Sequence, residues 1–173
     1  PSTVHRLVEL PGTFQHVLSL RLWDLSKSVI RRAEHFPLHE HAYHELIVLR
    51  AGTYRCVLNG SPLEMRRPGN CLLVQPGDRH EDFYQAGSEF LGILFSLCAP
   101  PSARWRGKVL NPQAPVSSRV RSLAPGAFSR RLLDLIATSA PKQARAFYNI
   151  LSLEALCEAF FWSLFPAIPP EIL

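Results

Sequence analysis

The sequence predicts a mainly β fold, an antiparallel sandwich or barrel followed by C-terminal α-helices, and three observations carry that prediction. Short β-type runs recur between Thr13 and Leu97 at roughly eight to twelve residue spacing. Gly, Pro, Asn and Asp separate them, which are the residues that sharp turns select. After Cys98 the composition changes to a proline-rich stretch and then to helical periodicity.

Residues 1–15 read as an N-terminal arm. The opening "PSTVHRLVEL" has no basic segment leading into an apolar core and a small-residue cleavage site, so it does not read as a signal peptide. The barrel is expected over 16–100. In "HVLSLRLWDL", Leu18, Leu20 and Leu22 alternate as in a half-buried strand. "SVIRRA" follows, and then "HEHAYHELIVLRAG", residues 39–52, which reads as one continuous strand. Asn59-Gly60 lies between "YRCVL" and "SPLEMRR". It is a two-residue hairpin signal, because both central positions of a type I′ turn need positive φ. Pro68-Gly69 and Pro76-Gly77 mark two further turns around "NCLLVQ", and "HEDFY" and "EFLGILFSL" complete the set.

Residues 101–124 are expected to be irregular connection. A helical pair is expected over 125–166. Phe128, Leu132, Leu135 and Ile136 form one stripe between Gly126 and Pro141. Phe147, Ile150, Leu151, Leu153, Leu156, Cys157, Phe160, Phe161 and Leu164 form a face broad enough to suit a partner chain as well as the barrel. The final stretch, 167–173, "AIPPEIL", reads as the start of a linker.

At 173 residues the chain is the size of one ordinary domain. With 47% hydrophobic and 19% charged residues it reads as globular, and no apolar run approaches the roughly 18 residues of a membrane span. The net charge of +5 comes from scattered arginines, not from the concentrated stripe of a nucleic-acid surface. Cys56, Cys71, Cys98 and Cys157 show no CxxC spacing, which predicts reduced thiols and a cytoplasmic location.

The chemistry concentrates in the histidines. On a continuous strand, His39, His41, Tyr43 and Glu45 share one face, and His44 points to the other. Burying two imidazoles and a carboxylate without partners would cost several kcal/mol. They must therefore bond one another, take a ligand or hold a metal, and such N and O donors suit Zn, Ni, Fe, Mn or Cu. His80, just after the Pro76-Gly77 turn, supplies a fourth donor if its strand stands opposite. Asp82 and Tyr84 share the parity of His80, and with Arg32 and Tyr43 they are candidate ligand-binding residues. No residue is assigned a catalytic role: there is no GxSxG elbow and no phosphate-binding loop.

The run His39, His41, Glu45 and Gly52 resembles the first cupin motif from its HxH onward, with Ala33 where that motif opens with glycine. "PGNCLLVQPGDRH" resembles the second, with Gln75 in the usual proline position and His80 closing it. Within cupins, Glu45-Leu46, "VLRAG" and "RRPGNCLLVQPGDRH" are most similar to the N-terminal sensor domains of AraC-family transcription regulators. The resemblance implies a double-stranded β-helix, or jelly-roll barrel. It places His39, His41, Glu45 and His80 in the positions that ligate a divalent transition metal (Zn, Ni, Fe or Mn) in metallocupins. It further implies a small-molecule effector, a homodimer formed through the helical pair, and contact with DNA only through helix-turn-helix units absent from this chain. On this reading the chain is not an enzyme. The alternative is a stand-alone metal-dependent cupin enzyme, a dioxygenase or an isomerase.

Overall fold

The computed structural model describes residues 2–9, 15–98 and 115–122, and within them the chain forms two antiparallel sheets. In chain order the strands are β1 (Ser2–Glu9), β2 (Gln15–Val29), β3 (Glu34–His39), β4 (His44–Ala51), β5 (Tyr54–Leu58), β6 (Ser61–Met65), β7 (Asn70–Val74), β8 (His80–Tyr84), β9 (Glu89–Cys98) and β10 (Val120–Ser122). The six-stranded sheet runs β1-β2-β9-β4-β7-β10 and the four-stranded sheet runs β3-β8-β5-β6.

Alternation along the strands explains why the two sheets face each other. Ile47 and Leu49 of β4, Leu72 and Val74 of β7 and Phe90 of β9 form one core cluster with Tyr54, Cys56 and Leu58 of β5, Met65 of β6 and Tyr84 of β8. Each such side chain contributes about 1.5–3 kcal/mol on burial. His44, Leu46 and Val48, on the other face of β4, are buried as well. That accounts for the unbroken apolar run "LIVL", which is the pattern of a strand covered on both sides.

The turns follow the expected chemistry. Asn59 has φ 50° and Gly60 has φ 81°, and Leu58 pairs with Ser61 across them, so the β5–β6 hairpin closes in two residues. Gly77 has φ 78° in the turn that leads into β8.

Three elements differ from the sequence prediction. "HEHAYHELIVLRAG" is not one strand. β3 ends at His39 in the four-stranded sheet, residues 40–43 turn a corner, and β4 begins at His44 in the six-stranded sheet. Off-ladder bonds hold the corner: the His41 ring bonds the Tyr43 carbonyl, and the Gly77 N–H donates to the His41 carbonyl at 3.2 Å. Residues 2–9, expected as an arm, form β1 against β2. Within the expected connection 101–124, Val116–Arg119 forms a 3-10 turn and Val120–Ser122 adds β10 to the edge of β7. The expected helical pair, 125–166, and the linker, 167–173, lie outside the described residues.

Candidate functional site

The corner between the sheets creates the site. His39 enters from the end of β3, His41 from the corner itself, Glu45 from β4 and His80 from the start of β8. The His41 and His80 Nε2 atoms stand 3.2 Å apart. Glu45 Oε2 lies 3.2 Å from His41 Nε2 and 3.9 Å from His80 Nε2. Tetrahedral coordination at about 2.0–2.1 Å would space its ligand atoms comparably. These three residues therefore form a group that can hold a metal ion.

His39 stands beside this group. Its ring centroid is 4.0 Å from that of His80, and its Nε2 is 3.9 Å from Asp82 Oδ2. With His80 and Asp82 it makes a second grouping of donors. The four-donor set read from the sequence is thus divided, with His80 common to both parts.

The protons of the three rings can be placed from their fixed neighbours. A backbone carbonyl or an ionised carboxylate only accepts, so a ring nitrogen bonded to one must carry the hydrogen. His39 Nδ1 donates to the Pro37 carbonyl at 2.8 Å, and His41 Nδ1 donates to the Tyr43 carbonyl at 2.7 Å. His80 Nδ1 donates to the Asp82 carboxylate, with Oδ1 at 3.2 Å and Oδ2 at 3.0 Å. In the neutral imidazole the lone pair then belongs to Nε2. Two such lone pairs, of His41 and His80, face each other beside the Glu45 carboxylate. Electron-rich atoms at this separation need a cation between them, either a proton or a metal.

Two perturbed groups agree with this charge pattern. Burial alone would lower the pKa of His41, but the hydrogen bond and negative charge of Glu45, with the Tyr43 carbonyl, outweigh it and raise the value. Burial would raise the pKa of Asp82, but hydrogen bonds from His80 and Tyr54 and the charges of His80 and His39 hold it below the usual carboxylate value.

The remaining candidates divide. Tyr43 is half-buried and stacks on His41, with centroids 4.2 Å apart and planes 8° from parallel. Asp82 is buried behind His80. Tyr84 belongs to the core cluster, stacked on Phe90 at 4.6 Å, although Phe36, 49% exposed, meets it edge-on at 5.6 Å. Arg32 is exposed in the turn before β3, and no bond joins it to the histidines. His44 is buried and stacks on Phe95 at 5.1 Å, away from the group. Tyr54 went unnoticed in the sequence: its hydroxyl donates to Asp82 Oδ1 at 2.6 Å. It shares a strand face with Cys56 and Leu58, both core residues, and nothing in the sequence pairs β5 with β8.

A model of the AraC-like ligand binding domain matches residues 28–160. The chain belongs to the AraC-like ligand binding domain family. Within this AraC-like domain the matched span takes in both cupin-type motifs and all four donors. Among curated proteins none matches the sequence. Solved structures similar to it include KdgF from Halomonas sp., at 15% identity and TM-score 0.33, covering 57% of this chain and 78% of that one. A cupin superfamily protein from Desulfitobacterium hafniense is 12% identical, with TM-score 0.32, covering 56% of this chain and 77% of that one. Oxalate decarboxylase from Bacillus subtilis is 18% identical, with TM-score 0.34, covering 53% of this chain and 27% of that one. Likenesses at this level carry nothing about the activity of this AraC-like domain.

Proposed function

We propose that this AraC-like domain is the effector-sensing part of a transcription regulator and that its small-molecule effector binds at the corner site together with a divalent transition metal. The observation that carries this reading is the convergence of the His41 and His80 lone pairs on Glu45, within 3.2–3.9 Å of one another. His41, Glu45 and His80 would hold the metal, and His39 would complete the set by turning its Nε2 away from Asp82. The bound ion would offer an open position to an effector carrying a carboxylate, hydroxyl or carbonyl oxygen. Tyr43, stacked on His41, is placed to bear on such a molecule. The site residues have the donor types of Zn, Ni, Fe or Mn centres, and they do not choose among these.

In the same reading the domain is not an enzyme. It pairs with a second copy through the helices expected over 125–166, and it reaches DNA only through helix-turn-helix units outside this sequence. Effector binding biases such a regulator only by the difference in its affinity for two states.

The test is elemental analysis of protein purified without chelator, followed by a thermal-shift screen of divalent metals and small acids, sugars and aromatics. A stoichiometric metal and a stabilising ligand are expected, since a ligand at about 100 times its dissociation constant adds about 2.7 kcal/mol. Protein that takes up neither metal nor effector refutes the proposal. Turnover of a small acid or phenol by the metal-loaded protein would replace it with the metallocupin enzyme.

A further inference from the structure

Behind the site runs a buried row of three polar side chains: Tyr54 1% exposed, Asp82 3% and His80 0%. Their order is set by strand pairing. β5 and β8 are antiparallel, with Tyr54 opposite Tyr84, Cys56 opposite Asp82 and Leu58 opposite His80. The Tyr54 hydroxyl donates to Asp82 Oδ1 at 2.6 Å, and His80 Nδ1 faces both carboxylate oxygens, Oδ1 at 3.2 Å and Oδ2 at 3.0 Å. We propose that Asp82, held in place by Tyr54, is a positioning residue that fixes which nitrogen of His80 faces the site.

An ionised carboxylate offers no proton, so the His80 nitrogen facing Asp82 must carry one, and the nitrogen facing His41 and Glu45 must carry the lone pair. The Tyr54 hydroxyl anchors Oδ1 and so fixes the orientation of the carboxylate, both of whose oxygens lie within 3.2 Å of His80 Nδ1. Buried as it is, Asp82 acts on a bound group through the His80 ring. This assignment replaces the sequence-based expectation that Asp82 touches the effector. It rests on the proposed reading only where a metal is concerned, because the proton placement holds for the metal-free protein.

Asp82→Asn tests the idea with almost no change of shape. The Tyr54 hydroxyl would keep the amide carbonyl at the Oδ1 place, and the amide NH2 would take the Oδ2 place, the nearer of the two to His80 Nδ1 at 3.0 Å. That geometry drives the proton to Nε2, where it points at His41 and Glu45. Outer partners of ligating histidines typically change metal affinity by about 10–100-fold when removed.

The experiment is long-range 1H–15N NMR of the histidine rings in metal-free protein at mildly alkaline pH, with calorimetric titration of Zn2+. Wild type and Tyr54→Phe should show His80 protonated on Nδ1, and Asp82→Asn should show it protonated on Nε2. Zn2+ affinity should fall about 10–100-fold in Asp82→Asn and less in Tyr54→Phe. A wild-type His80 protonated on Nε2 overturns the proposal, with no variant required. So does an Asp82→Asn protein with unchanged His80 tautomer and Zn2+ affinity. If wild type takes up no Zn2+, the metal reading fails alone and the NMR comparison still decides this one. If Asp82→Asn does not fold, the wild-type and Tyr54→Phe spectra decide it.

Discussion

His41 and His80, thirty-nine positions apart, meet nitrogen to nitrogen at 3.2 Å, with the proton of each ring committed elsewhere. Such a contact stands only with a cation between the two rings. His41→Ala and Glu45→Gln should each abolish stoichiometric uptake of Zn2+ or Ni2+, because either change leaves two donors of the close group and only His39, 3.9 Å from Asp82, to supply a third. Elemental analysis after dialysis against metal checks this, and a variant that keeps one tightly bound ion would contradict it.

The pH dependence of the metal-free protein follows from the sign of two shifts. The pKa of His41 is raised above its ordinary 6.5, so the stabilisation from the charged ring is complete below that value. It is lost as pH rises through the higher folded value. The pKa of Asp82 is lowered from 3.8, so its contribution is present above that value and is lost as pH falls through the lower folded one. Stability of the metal-free protein should therefore be greatest on the acid side of neutrality. Urea unfolding across pH checks this, and in His41→Asn the decline as pH rises above 6.5 should be weakened. Metal affinity should change the opposite way and fall as pH drops, since the proton competes for the same electrons.

Arg119, in the 3-10 turn, and Asp78, between β7 and β8, form a buried ion pair, 5% and 6% exposed. The Asp78 carboxylate also accepts the Gln75 N–H at 2.8 Å and the Asn59 side-chain amide at 2.9 Å. Removing one member of such a pair strands the other, at about 3–5 kcal/mol. Arg119→Ala should lower the unfolding free energy by that much. Arg121→Ala, two residues on and exposed, should change it by less than about 0.5 kcal/mol. Denaturant titrations of the two variants measure the difference.

Gly52 has φ 76°, and a Cβ there would stand 2.7 Å from the Ser88 Cα, a backbone atom. Gly52→Ala should destabilise the domain by more than about 1 kcal/mol, from left-handed backbone strain together with the displaced Ser88. The Ser88 hydroxyl also donates to the Thr53 carbonyl at 2.8 Å, so a shift there disturbs a second bond. Thermal unfolding of the variant gives the figure.

Burial pushes the Cys56 and Cys71 thiols up to about 12. Few thiolates form at mildly alkaline pH, so alkylation of the native protein should leave both unmodified until it unfolds. Peptide mapping after brief iodoacetamide treatment checks each position.

Much of the architecture could be read from local chemistry. The Asn59-Gly60 hairpin and the glycine turns are encoded in two or three adjacent residues, and the unbroken apolar run "LIVL" is that of the buried strand β4. Strand parity failed where the chain changes sheets. Glu40 to Tyr43 look like a continuation of β3, but β3 and β4 lie in different sheets, and the corner between them takes a long-range bond from Gly77 to His41. Parity nevertheless grouped His41 with Glu45, and the second motif supplied His80. It placed Asp82 on the right side of β8 but could not reveal that Tyr54 and His80 occupy its carboxylate. Such partners depend on the β5–β8 register, which no short segment specifies.

Asn59 supports two structures at once. Its backbone adopts the positive φ of the hairpin, and its side chain reaches the neighbouring loop, where it accepts the Arg79 N–H at 2.9 Å and donates to Asp78 at 2.9 Å. Glycine would satisfy the hairpin and abandon the loop, and aspartate would bring a second negative charge against Asp78. Position 59 therefore has little freedom to drift, although it is exposed at the tip of a hairpin and far along the chain from the histidines. In a mutational scan of this domain it should stand out as an intolerant surface residue.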